Sequence, residues 1–247
     1  MKKKNSIYLV LTVVSFLLLG LSVMDNSASN YASSEVTYAN SLTTNFIQPF
    51  NTGNIQSIWS ESFDNTTFPP TGWQNVQESG TGLWSRVTTT IYPSGYPPHS
   101  GAGMASYNCY YFGYNVSASL ISPQFSLTGG TAKLGIWMLR DSEWQTYVDS
   151  LNLMINTTPT STGATLLGTI HRPKSAPPVE TGPDGWYFYE FPIPTSFNTS
   201  SNYIILKATS AWGNDIYIDD VSVSLMPAND VGTIAINVTT PLPLGGV

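Results

Sequence analysis

Between residues 57 and 225 the chain alternates apolar and polar positions in short runs punctuated by glycine and proline. A period of two is the mark of a strand with one buried face. It predicts strands over 58–63, 83–87, 119–123 (running on to Phe125 and Leu127), 132–139, 150–155, 186–191, 203–208 and 215–225. Leu134, Ile136 and Met138 share one side of their run, and Leu151, Leu153 and Ile155 share one side of theirs. The run 186–191 is aromatic on both faces, which reads as a central strand. Phe68-Pro69-Pro70-Thr71-Gly72-Trp73 reads as a proline-rich turn and Gly129-Gly130 as another. No stretch after the first 29 residues carries a sustained helical period. Many short strands with such punctuation predict an all-β fold, an antiparallel sandwich.

The last of these strands has a fault in it. Ile216 and Ile218 have one parity; Val221, Val223 and Leu225 have the other. One face can hold both sets only if an extra residue is inserted at Asp219-Asp220. A β-bulge does this, and bulges re-aim side chains beside functional sites. Upstream, the parity of Trp59-Ser60-Glu61-Ser62-Phe63 puts Glu61 on the face of two aromatic rings. A carboxylate there needs a cation or several donors. The expectation is that Glu61 meets Asp219 and Asp220 around a calcium ion, which takes carboxylate and carbonyl oxygens. The alternative is a hydrogen-bonded cluster without metal, and either aspartate can be the one turned inward.

The ends differ from the body. Residues 1–29 read as a secretory signal: Lys2 to Lys4, then an apolar run from Ile7 to Val23, then Ser27, Ala28 and Ser29. Residues 30–56 are a leader rich in Ser, Thr and Asn. The span 226–247 reads as a linker followed by the start of a further β segment at 231–238.

Composition narrows the function classes. The formal charge is -6, and three of only nine basic residues are Lys2, Lys3 and Lys4. Such a chain offers little to a phosphate backbone, so nucleic-acid binding is not expected. Cys109 is the one cysteine, read as a small buried hydrophobe, so an exported domain gains no internal disulfide and a structural metal would be an alternative staple. Neither a Gly-x-Ser-x-Gly elbow, a His-Glu-x-x-His helix nor a phosphate-cradling glycine loop occurs. Asp141 and Glu143 mimic a glycosidase pair only in spacing and read as a polar loop. His171 is placed in a solvated turn before a proline-rich loop. The chain is therefore read as a non-catalytic binding module. Rings stack on the apolar faces of sugars. Aromatic residues in loop-like segments are accordingly the ligand-binding candidates: Trp144, Trp212, Tyr96 and Tyr110 above the others. Trp73, Trp84, Trp137 and Trp186 read as core.

The order of motifs resembles a known family. Glu61-Ser62-Phe63-Asp64 is followed by Phe68-Pro69-Pro70-Thr71-Gly72-Trp73, Leu83-Trp84 and His99-Ser100-Gly101. Then come Leu120-Ile121-Ser122-Pro123-Gln124-Phe125-Ser126-Leu127, Trp186-Tyr187 and Ile218-Asp219-Asp220-Val221. This series is similar to the cleaved-adhesin, or choice-of-anchor J, modules of bacterial surface proteins, which are MAM-like. The resemblance spans 57–225. It implies a jelly-roll β-sandwich of the galactose-binding-like type, secreted or at the cell surface, with a glycan or a cell-surface protein as partner. It also implies calcium between first and last strands, held by Glu61, Asp219 and Asp220, with backbone oxygens near His99 and Ser100. The loop 77–80 lacks the Asp-rich run of many relatives, so a second calcium there is not expected.

Overall fold

The computed structural model describes residues 56–226. The expected signal, nearly all of the leader and the strand at 231–238 lie outside the described residues. Eleven strands are present among the described residues: β1 Gln56–Glu61, β2 Gln74–Ser79, β3 Trp84–Val87, β4 Met104–Tyr107, β5 Ser117–Ile121 and β6 Ala132–Arg140. They continue as β7 Ser150–Asn156, β8 Thr165–His171, β9 Gly185–Ile193, β10 Tyr203–Thr209 and β11 Ile216–Leu225. One 3₁₀ turn, Thr195–Phe197, precedes β10. No helix among the described residues is long and apolar enough to cross a membrane.

One sheet has the order β3-β4-β11-β6-β9, with β1 added on β11; the other has the order β2-β5-β10-β7-β8. Every ladder is antiparallel. From β4 onward the chain alternates between the sheets, except at the β7–β8 hairpin. That path places β4-β11-β6-β9 over β5-β10-β7-β8, the two four-stranded layers of a jelly roll. The fold is thus the predicted all-β sandwich.

The inner faces supply a single main core. Leu134, Ile136 and Met138 of β6 meet Leu151, Leu153 and Ile155 of β7 and Ile204, Leu206 and Ala208 of β10. Ile216, Ile218, Val221 and Val223 of β11 all enter that core despite their opposite parities. The bulge makes this geometry available: the β11–β6 register shifts between Asp219 and Ser222. Asp220 sits at φ 45°, a left-handed conformation that turns the strand. At the same place β11 changes its other neighbour. Residues 216–218 pair with β4, and 221–225 pair with β1. The two aspartates therefore face a gap between strand ends.

Three strands escaped the reading from alternation. β2, β4 and β8 are short or mixed in polarity, and β4 is buried at all four positions, leaving no alternation to detect. Residues 77–79 belong to β2 rather than to a loop, and His171 ends β8 rather than standing in a turn. β9 is an edge strand, not a central one: Trp186, Tyr187, Tyr189 and Phe191 are half-buried and Phe188 is exposed. Trp73 and Trp84 are core, as expected, and Cys109 is buried. Trp137 and Trp186 are not in the main core: they are half-buried on the outer side of their sheet. There Trp186 packs on a second small cluster of Met104, Leu139 and Tyr217.

Candidate functional site

The loops 108–115, 141–149 and 210–215 carry the exposed aromatic residues Tyr110, Tyr111, Tyr114, Trp144, Tyr147 and Trp212. Tyr110, Trp144, Tyr147 and Trp212 line one pocket of about 220 Å³. Trp144 and Trp212 are 54% and 57% exposed, so neither is held by a core. Both lie in the left-handed backbone region, at φ 46° and 70°. For a bulky residue that conformation costs about 1–3 kcal/mol and persists only where surrounding structure imposes it.

One buried arginine imposes it. Arg172 follows β8 and is fully buried. Its Nε donates to Asp149 Oδ2 at 3.0 Å and its Nη1 to Asp141 Oδ1 at 2.7 Å and to the Glu143 carbonyl at 2.9 Å. Its Nη2 donates to the carbonyls of Trp144 at 3.0 Å and Tyr147 at 3.1 Å. All five guanidinium N–H groups are thereby used. Asp149 continues the network, accepting from Ala211 N at 2.6 Å and Gly213 N at 3.1 Å, on either side of Trp212. Gly213 is required there, because a Cβ would strike the Asp149 carboxylate and the Arg172 guanidinium. A single Arg–Asp pair thus anchors the loops of both exposed tryptophans.

The tyrosine side of the pocket has its own anchor. Tyr92 stacks on Tyr110 at 3.9 Å between ring centroids. Buried Asp215 accepts from Tyr110 N at 3.1 Å and from the Tyr217 hydroxyl at 3.0 Å. Burial pushes the Asp215 carboxyl up to about 6, opposed by those two donors. Asp141 is raised by burial and lowered by Arg172. Asp141 and Glu143 do not face each other across a cleft: Asp141 takes the Arg172 charge and Glu143 Oε2 accepts from Asn214 Nδ2 at 3.1 Å.

Of the ligand-binding candidates, Trp144, Trp212 and Tyr110 converge on this pocket. Tyr96 does not: it packs, half-buried, on the cluster of Met104, Leu139 and Tyr217. Its position before a proline pair looks loop-like in sequence, but the loop folds back on the sheet. The sequence reading missed Tyr147, Asp149 and Arg172. Tyr147 was legible as the fourth residue of a turn from Trp144, closed by Tyr147 N donating to Trp144 O at 2.9 Å. Nothing local marks Arg172 as buried.

The acidic group at the bulge lies elsewhere, between β1, β11 and the loop before β4. Glu61 is paired in register with Val221, next to Asp219 and Asp220, so the two ends of the body do meet. The side chains do not share one centre. Glu61 Oε1 accepts from Phe63 N at 2.7 Å. Asp219, fully buried, accepts from Ser100 N at 3.1 Å and Asp220 N at 2.8 Å. Burial pushes its carboxyl up to about 6 against these donors. Asp220 Oδ2 lies 2.6 Å from His99 Nδ1, and its Oδ1 accepts from Ser100 Oγ at 2.8 Å. The His99 ring also stacks on Trp137 at 3.6 Å. His99 and Ser100 thus meet the aspartates with a ring nitrogen, a backbone N–H and a hydroxyl. Among the described residues, no three His, Cys, Asp or Glu side chains are grouped to hold a metal ion.

No family model and no curated protein matches the chain. Solved structures similar to it include the K3 cleaved adhesin domain of Lys-gingipain from Porphyromonas gingivalis W83. That domain is 18% identical with a TM-score of 0.49, over 68% of this chain and 99% of the domain. The CBM22-1 xylan-binding domain of Paenibacillus barcinonensis Xyn10C is 10% identical with a TM-score of 0.44, over 70% of this chain and 97% of that one. TmCBM61, solved with β-1,4-galactotriose, is 16% identical with a TM-score of 0.43, over 67% of this chain and 95% of that one.

Proposed function

We propose that the protein is a secreted, non-catalytic binding module that takes a neutral glycan at the Tyr110–Trp144–Tyr147–Trp212 pocket. The observation that carries this reading is two exposed tryptophans held in strained backbone by one buried ion pair. A fold tolerates such strain where the side chain's position matters. A pocket of about 220 Å³ lies below the usual range for drug-sized ligands and suits one sugar ring, with further units running out over Tyr111, which packs on Tyr110, and Tyr114, which packs on Trp212. The walls are rings with phenol and indole groups, which offer stacking and hydrogen bonds to hydroxyls. Basic side chains do not line it, and Glu143 lies nearby, so the site favours uncharged sugars over sialylated or sulfated ones. Secretion rests on the export signal read at residues 1–29.

A glycan array probed with the purified protein tests the reading. Neutral oligosaccharides are expected to bind, and Trp144→Ala and Trp212→Ala are each expected to weaken binding about tenfold, the worth of one ring contact of about 1.4 kcal/mol. Binding unaffected by both substitutions would remove the site. Absence of binding to any glycan would favour a structural spacer with the same fold.

A further inference from the structure

We propose that the pocket beside β1 is a second binding site, and that it takes a quaternary ammonium group. The pocket lies between β1, Trp73 and residues 123–126 and holds about 470 Å³, within the usual range for a small ligand. β1 pairs with β11 alone, so among the described residues no strand covers its other edge. In the β1–β11 ladder Trp59 lies opposite Val223 and Glu61 opposite Val221. Residues directly opposite share a face, and both valines enter the main core. Glu61 is therefore a carboxylate on the inward side of the sandwich, half-buried and lining the pocket. The rings of Trp59, Trp73 and Phe125 line it as well. Trp59 stands at 90° to Trp73, with 5.7 Å between ring centroids, and at 65° to Phe125, with 5.8 Å. Its buried Nε1 has no hydrogen-bond partner among the described residues. An orphaned N–H is costly, so no hydrogen bond of its own explains the place of this indole.

Charge selects the ligand. Glu61 Oε1 accepts from Phe63 N, but among the described residues no basic side chain pairs with this carboxylate. The basic residues there are Arg86, Lys133, Arg140, Arg172, Lys174 and Lys207. Arg86 and Arg140 donate to backbone carbonyls. The other four pair with acidic side chains elsewhere. A carboxylate beside three rings, with no protein cation to meet it, is complementary to an organic cation. The ring quadrupoles attract the positive charge and the carboxylate supplies the opposite one. A quaternary ammonium suits such walls better than a primary one, because it brings no N–H that must find an acceptor and its methyl groups gain from burial. No basic residue lines the pocket, so a phosphate next to the ammonium would go unmatched. The ligand class is therefore a choline-type cation without a phosphate.

Isothermal titration of the full chain with choline chloride, in chelator at constant ionic strength, tests the site. The comparison ligands are phosphocholine and the uncharged carbon isostere of choline, in which a tert-butyl group replaces the trimethylammonium. Choline is expected to bind, and both comparison ligands to bind about tenfold more weakly or worse. Glu61→Gln keeps an acceptor for Phe63 N and removes the charge. It is expected to lower choline affinity about tenfold, to the level of the isostere. If Glu61→Gln does not fold, the preference of the wild type for choline over its isostere decides. No choline binding, equal affinity for choline and isostere, tighter binding of phosphocholine, or unchanged choline affinity in Glu61→Gln would each overturn the proposal. The two pockets share no lining residue. Trp144→Ala is therefore expected to leave choline binding unchanged, and a loss there would move the cation to the other pocket and overturn this one. Glycan binding on an array can fail without touching the result.

Discussion

Arg172 and Asp215 decide more than any exposed residue. Both are buried, and each fixes loop backbone rather than touching a ligand itself. Arg172→Met would leave Asp141 and Asp149 as buried carboxylates without their cation. A loss of about 3–5 kcal/mol is expected in chemical denaturation, with glycan binding lost before the fold itself fails. Asp215 gives a pH signature. Its carboxyl is raised from 3.8 to about 6 in the folded state, so the folded chain binds that proton more tightly than the unfolded one. The stability this confers is fully present below about pH 4 and is lost as pH rises through about 6. Asp215→Asn keeps an acceptor for Tyr110 N and cannot ionise. Denaturation midpoints compared at pH 4.5 and pH 7 are expected to fall more for wild type than for this variant; equal slopes would refute the assignment. At this scale the exposed tryptophans were legible, because a large ring among polar neighbours stands out. Arg172 was not: burial of a charge depends on where its partners arrive from, and Asp149 is 23 residues away.

Among the elements, β11 is the informative one. Its clash of parities announced the bulge, since a strand cannot put Ile218 and Val221 on one face without an inserted residue. What parity cannot say is which strands flank the bulge. The switch from β4 to β1 at that point opens the gap that loop 99–102 fills. The tightness of the loop is testable. Gly101→Ala places a Cβ against the Asp64 carboxylate and requires φ 59° of a non-glycine residue. A loss of about 1–3 kcal/mol is expected in thermal unfolding. An unchanged midpoint would show that the loop is free to move. β2, β4 and β8 were missed because full burial or mixed polarity erases alternation, whereas β6, β7 and β10 face one core and show it clearly.

For the whole molecule the topology sets the folding rate. β1 pairs with β11, and β5 with β10, so much of each sheet joins residues far apart in sequence. Loop closure precedes the reward of such contacts, and sandwiches of this kind refold in milliseconds to seconds. Stopped-flow refolding monitored by tryptophan fluorescence is expected in that range, and a microsecond phase carrying the full amplitude would contradict the topology as drawn. The sequence by itself determined the class of fold, the bulge at Asp219-Asp220 and the aromatic character of the ligand candidates, because periodicity and residue type are local properties. The tertiary structure decided which rings share a pocket, which strand lies at an edge, and which donors meet Asp219 and Asp220. Those outcomes depend on segments brought together across the sandwich, and a pattern local to one segment does not record its partners.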